Sequence, residues 1–232
     1  MKKVLMYPIW IRVWHWTNAT LFFLLILSGV SMQYSDTSSL LMPFEYAIVI
    51  HNVCGITLSA VFLLYTILNI KTKNYKQYVP HLKGMMPMLI AQAKYYIYGV
   101  FKGHPHPFET TPDAKFNPLQ KLTYFGIMFF AVPAIIISGW MLMFPELAPE
   151  QILGMGGVWP MALLHISTGF FLNLFFIGHI YLATHGDTVG ANFKSMINGW
   201  HLHSDHHSEE ASEAEEQAND LEETGAENAI SD

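Results

Sequence analysis

A single cysteine, Cys54, stands among 232 residues. One thiol cannot build a disulfide framework, ligate an iron–sulfur cluster through four thiolates or attach c-type haem, which needs C-x-x-C-H. Charge is scarce too. Asp, Glu, Lys and Arg make up 13% of the chain, against about 25% in an ordinary soluble domain. By contrast 52% is hydrophobic and 14% aromatic, with sixteen Phe and thirteen Met. A chain so poor in charge and so rich in large apolar side chains is expected in a membrane. Basic residues are absent from 205 onward, where eleven of the eighteen acidic residues fall. The remaining seven acidic residues share the first 204 positions with all twelve Lys and Arg. The net charge of −6 therefore describes neither part, and no nucleic-acid partner is expected.

A membrane-spanning helix needs about 20 mostly apolar residues. Four stretches qualify, at 10–32, 46–70, 120–144 and 158–183. Lys2 and Lys3 ahead of the first give it the look of a signal peptide. Its apolar run is too long, contains Arg12 and His15 and lacks an A-x-A cleavage site, so it is read as retained. Segments 33–45 and 145–157 carry no Lys or Arg, whereas 71–121 carries eight, and Lys2, Lys3, Arg12 and Lys194 lie towards the two ends. Basic residues near span ends stay on the cytoplasmic side. Four spans with the N-terminus inside put all twelve there. The expectation is an all-α, four-transmembrane-helix bundle, N-in/C-in, in the bacterial cytoplasmic (inner) membrane.

The central loop is not expected to cross. Met85–Phe101 is apolar but interrupted by Pro87 and Lys94 and flanked by Lys83 and Lys102, a pattern that suits a helix lying in the cytoplasmic interface. Residues 1–203 are read as one membrane domain. Residues 204–232 have no apolar periodicity and are read as a disordered acidic tail. No repeat at a fixed period is apparent.

Histidine is abundant, at twelve residues, and four lie in the spans: His15, His51, His165 and His179. Ionisable groups inside a membrane are costly and usually mark function, although any one alone is equally explained as a buried imidazole bonded to a neighbouring helix. Topology sorts these four by depth. His15, early in the first span, and His179, late in the fourth, fall in the inner leaflet. His51 and His165, early in inward-running spans, fall in the outer leaflet. Each leaflet receives two histidines from two helices, the geometry for two haems held in a bundle core. His165 and His179 are 14 residues apart, so on a helix they differ by about 40° around the axis and about 21 Å along it. His185 points elsewhere.

Gly55 and Gly169 each follow an outer histidine by four residues, and Gly29 follows His15 by 14. Such glycines could admit a macrocycle, or could equally serve helix packing. Two imidazoles per iron leave no open coordination position, so electron transfer is expected rather than oxygen activation. The natural second partner of such a wire is a membrane quinone.

The stretches Arg12-Val-Trp-His-Trp-Thr-Asn18, His51-x-x-x-Gly55, Phe116-Asn-Pro-Leu-Gln-Lys121 and His165-x13-His179-Ile-Tyr resemble the di-haem cytochrome b subunits of thiosulfate reductases, to which subunits of formate dehydrogenases and nickel–iron hydrogenases are related. Ser195-Met-Ile-Asn-Gly-Trp200 also looks like the thiosulfate-reductase type. The resemblance covers about residues 5–200. It implies two haem b groups, with His15 and His179 ligating the inner haem iron and His51 and His165 the outer. It also implies a menaquinone or ubiquinone site near the inner haem, with Asn117, Gln120 and Lys121 contributing. Leu119 departs from a glycine common in formate-dehydrogenase subunits. Independently of family, Asn117 and Gln120 offer neutral donors for a quinone carbonyl, while Asn117-Pro118 equally reads as a helix cap.

No active site for substrate chemistry is recognisable. The chain is therefore read as an electron-transfer subunit between the quinone pool and a periplasmic partner: a molybdenum enzyme, a hydrogenase or a multihaem cytochrome c. Two other classes compete. His203-x-x-His206-His207 matches one box of membrane di-iron enzymes, though such enzymes need several and His81, His104 and His106 are scattered. A haem-free anchor that docks a catalytic partner is the other. Trp10, Trp14, Trp16, Tyr34, Trp140 and Trp159 sit near span ends as an interfacial belt, and Trp14 and Trp16 flank His15, where they could pack on the inner haem. Arg12, three residues before His15, could pair a haem propionate or a lipid phosphate.

Overall fold

A computed structural model describes residues 2–34, 41–80, 84–104, 107–108, 115–185 and 188–203. Four helical spans make up the molecule. They are α1 (Ile9–Gln33), α2 (Phe44–Lys71), a composite third span and α6 (Val158–Ala183). The third span consists of α4 (Pro118–Gly126), a π-helical turn over Ile127–Ala131 and α5 (Val132–Met143). Pro133 explains the turn: it has no N–H for the carbonyl one turn back, and a widened turn absorbs the missing bond. Helix α1 packs along α2 and α5 along α6, and α2 joins the two pairs through α5.

Lipid must cover most of this surface. No more than 17% of the most apolar stretch of any span is buried, and Phe23, Leu63, Phe130, Ile137, Leu163, Phe170 and Ile177 all face outward. The fully buried side chains include the small polar residues Ser28, Ser31 and Ser138. Small residues inside and large apolar ones outside is the arrangement of helices packed in a bilayer. Two modest clusters close the contacts between spans, one around Leu21, Cys54 and Leu58 and the other around Ile127, Val132 and Leu172.

The central loop does not cross. Helix α3 (Met85–Lys94) loosens into a π turn over Tyr95–Gly99 and a 3-10 turn that ends at Lys102. It lies against α4 and leaves Met86, Ile90, Ile97 and Phe101 exposed, the apolar face expected of an interfacial helix.

The first and last described segments meet, which the sequence reading did not foresee. Strand β1 (Lys2–Leu5) pairs antiparallel with β4 (Trp200–His203). Helix α7 (Ala191–Asn198) ends at Gly199 in the left-handed region (φ 86°), and Met6 and Tyr7 N–H donate to the Gly199 carbonyl at 2.8 and 3.2 Å. A side chain at 199 would stand 2.7 Å from the Tyr7 carbonyl oxygen, so only glycine suits the closure. On the opposite side a two-residue turn links β2 (Gln151–Ile152) to β3 (Met155–Gly156). The acidic tail expected from 204 lies outside the described residues.

Candidate functional site: two facing histidine pairs

The four span histidines meet in the pairs expected from depth. His15 on α1 faces His179 on α6 with ring centroids 6.1 Å apart, and His51 on α2 faces His165 on α6, also at 6.1 Å. Both pairs use α6 because two residues 14 apart share nearly one face of it.

The surroundings of the two pairs differ. In the second pair both imidazoles are held from the facing helix: Ser28 Oγ lies 3.0 Å from His51 Nδ1 and Ser138 Oγ 3.0 Å from His165 Nδ1. In the first, Tyr124 Oη lies 3.2 Å from His179 Nδ1, Phe175 stacks on the His179 ring at 5.7 Å, and His15 Nδ1 is buried with no hydrogen-bond partner. Trp16 stands edge-on to His15 at 5.2 Å, but Trp14 turns away to stack on Tyr65 at 3.8 Å. Trp14 therefore belongs to a buried aromatic group beyond the pair, in which Tyr65 donates to the Tyr78 hydroxyl at 2.6 Å.

Glycine near the second pair lies against the imidazoles of the neighbouring helices. A Cβ on Gly29 would stand 3.4 Å from His51 Cε1 and one on Gly139 3.1 Å from His165 Cε1, whereas nothing lies within 4 Å of Gly55. Gly29 thus makes room for an imidazole of the neighbouring helix.

Asn117 begins α4 as a complete capping box. Its Oδ1 accepts from Gln120 N–H at 2.9 Å, and Gln120 Oε1 accepts from Asn117 N–H at 3.2 Å. Asn117 Nδ2 also donates to Tyr96 Oη at 2.8 Å, tying α3 to α4. Burial raises the Tyr96 phenol above its usual range, with the Asn117 bond acting in the other direction. Tyr7 and Tyr78 are raised by burial in the same way, and Lys115 is lowered by it. Lys121 is half-buried one residue beyond the box. Phe116 connects this corner to the first histidine pair, with its ring 4.8 Å from that of Tyr124. Fully buried Gln92 of α3 also faces the Tyr96 phenol.

Arg12 has a backbone partner on α7. Its Nη1 donates to the Ile197 carbonyl, and Trp16 Nε1 donates to Met196 at 3.2 Å. Both close the C-terminal end of α7, where a cation is favoured by the helix dipole. His185 turns back onto the Tyr181 carbonyl, as its angular position implied. His81, His106, His206 and His207 lie outside the described residues, and among those described no set of three or more His, Cys, Asp or Glu gathers as a metal site.

Sequence reasoning passed over Ser28, Ser138, Gly139 and Tyr124. A signal for three of them was present: Ile26-Leu27-Ser28-Gly29 and Ile136-Ile137-Ser138-Gly139 are near-identical, and each precedes a span that carries an outer histidine.

The prokaryotic cytochrome b561 family profile matches residues 6–199. The chain belongs to that family. It is 32% identical over 202 residues to YdhU of Escherichia coli (strain K12), a protein carrying the name of a cytochrome, with 87% of this chain and 76% of that protein covered. It is 26% identical over 194 residues to the cytochrome b556(Fdn) subunit of the nitrate-inducible formate dehydrogenase of the same organism, covering 81% of this chain and 79% of that one. This member is accordingly a multi-pass bacterial membrane cytochrome b that carries electrons through haem b.

Proposed function

We propose that this cytochrome b561-family chain holds two haem b groups, one between His15 and His179 near the cytoplasmic face and one between His51 and His165 near the periplasmic face. It passes electrons between a periplasmic redox partner and the quinone pool of the inner membrane. The observation that carries this is the equal 6.1 Å separation of the two imidazole pairs. A metal–imidazole bond of about 2.0–2.1 Å puts the metal about 3 Å from the ring centroid, so two axial imidazoles on one ion have centroids about 6 Å apart. Neither pair has a third protein ligand among the described residues, as suits an iron whose equatorial positions belong to a macrocycle.

Held by His15 and His179 and by His51 and His165, haem b would supply a one-electron couple. The protein's share is orientation and insulation. The helices fix each ring, the lipid-facing apolar shell excludes water, and about 21 Å of α6 sets the vertical step between the sites. The Lys/Arg distribution supports a cytoplasmic position for the His15/His179 pair.

Quinone is assigned to the corner formed by the start of α4 and by α3. Asn117, Gln120 and Lys121 stand there, linked through Phe116 and Tyr124 to His179. The likeness to a cytochrome subunit of a formate dehydrogenase supports a catalytic subunit as the partner, and we assign it to the periplasmic side as a molybdenum enzyme, a hydrogenase or a multihaem cytochrome c.

Purified membranes test this. Pyridine haemochrome is expected to give two b haems per chain, and a menaquinol analogue is expected to exchange electrons with the haem on the cytoplasmic side. One haem, none, or haems blind to quinol would overturn the reading.

A further inference from the structure

Ser28 and Ser138 occupy matching places in the two halves of the bundle, and both are completely buried. Ser28 Oγ lies 2.7 Å from the Leu24 carbonyl and Ser138 Oγ 2.7 Å from that of Ala134. A hydroxyl has one proton. Here it is committed to the carbonyl one turn back, the usual bond of a serine inside a helix. The oxygen therefore meets His51 or His165 with its lone pairs, and the Nδ1 at 3.0 Å is the protonated nitrogen of each ring. Nε2 is left bare on both. The residue after each serine is glycine, and a Cβ there would press on the same ring at 3.4 or 3.1 Å. Serine supplies an acceptor beside the backbone carbonyl of Leu25 or Ile135, and glycine leaves the ring its room, most tightly at Gly139.

The inner pair is built without this device. His15 Nδ1 has no partner among the described residues, and His179 Nδ1 meets the Tyr124 phenol at 3.2 Å, a poorer acceptor than an aliphatic hydroxyl.

We propose that Ser28–Gly29 and Ser138–Gly139 are twin clamps that fix His51 and His165 as Nε2 ligands and hold the outer haem at a lower potential than the inner one. The inference rests on the two-haem reading above and adds a direction to it. An N–H···O bond from the far side of an imidazole raises its basicity as a ligand, and a more basic axial ligand favours ferric over ferrous iron. The outer haem has two such bonds to aliphatic hydroxyls, and the inner has one, from His179 to the more weakly accepting Tyr124 phenol. Electrons then run downhill from the periplasmic side to the quinone side, so the chain works as a quinone reductase arm. The serines are positioning residues, acting on iron only through the histidines.

Potentiometric titration of the purified holoprotein, followed at the b-type absorption band, tests this. Two midpoints are expected in the wild type, and the lower one should vanish in His165→Ala. Ser28→Ala and Ser138→Ala should each raise the lower midpoint and leave the upper in place, and Ser28→Thr, which keeps the hydroxyl, should return it towards the wild-type value. Alanine is the better helix former, so these changes spare the helices. Loss of the lower-potential haem in Ser28→Ala with retention in Ser28→Thr would support the same conclusion. The proposal is overturned if His165→Ala removes the higher-potential haem, if either alanine variant keeps both haems at unchanged potentials or moves the upper midpoint, or if Thr behaves as Ala. Fewer than two haems per wild-type chain would defeat instead the reading on which the proposal rests.

Discussion

His165 and Ser138 meet across the α5–α6 contact with Nδ1 and Oγ 3.0 Å apart, and His51 and Ser28 repeat the contact between α1 and α2 at the same distance. A serine–glycine pair near the end of one span clamps a histidine near the start of the next. The bundle is thus two similar hairpins side by side, and α6 is shared by both histidine pairs.

Gly139 and Gly29 should not be equally sensitive. A Cβ at 139 would come to 3.1 Å of His165 and one at 29 to 3.4 Å of His51. Overpacking of this kind typically costs about 1–3 kcal/mol. Gly139→Ala is expected to lower the thermal stability of the holoprotein and disturb the outer haem's spectrum, and Gly29→Ala to do so less. Melting curves and low-temperature spectra of the two variants check the order; a larger effect at 29 would contradict it.

Asn117→Ala removes a helix cap and the partner of Tyr96 together. Loss of the cap costs about 1 kcal/mol, and loss of the Asn117–Tyr96 hydrogen bond adds about 0.5–1.5 kcal/mol. The variant is expected to melt earlier and to turn over quinol more weakly, with both haems retained. Asn117→Ser restores the cap but does not reach Tyr96 as the amide does. Recovery of stability without recovery of quinol turnover is the expected result; recovery of both would make Asn117 a cap alone.

Arg12 closes the end of α7. Arg12→Gln is therefore expected to loosen the β1–β4 closure, seen as faster proteolysis between 190 and 203, while both haem spectra and potentials stay put. A change in the inner haem's potential with proteolysis unaltered would return Arg12 to a propionate.

Orientation has its own check. Reporters fused after Asp232 and within the loop between 71 and 118 are both expected to read cytoplasmic. A periplasmic reading at either point would exchange the assigned leaflets.

The four spans, the crossing-free central loop and the pairing of His15 with His179 and His51 with His165 were legible from the sequence, because each follows from apolar length, Lys/Arg placement and depth along a helix. What escaped has a common cause. The β1–β4 closure joins residues about 200 positions apart by backbone bonds, and backbone pairing between distant short segments leaves little periodic trace. Tyr124 and Ser138 act by reach across a helix contact, which spacing along one helix does not encode. The π turn before Pro133 was signalled by the proline itself. Asn117 was legible as a cap in Asn117-Pro118, and the capping box bears that out; its bond to Tyr96 needed the placement of α3.

The most direct test of the account is the pairing of ligands. Each of the four histidines is replaced by alanine in turn, and haem content is read by pyridine haemochrome and redox-resolved spectra. His15→Ala and His179→Ala are expected to remove the same haem, and His51→Ala and His165→Ala the other, each leaving one b haem per chain. If His15→Ala removed the haem that His165→Ala removes, or if any of the four left both haems in place, the two-site account would be contradicted.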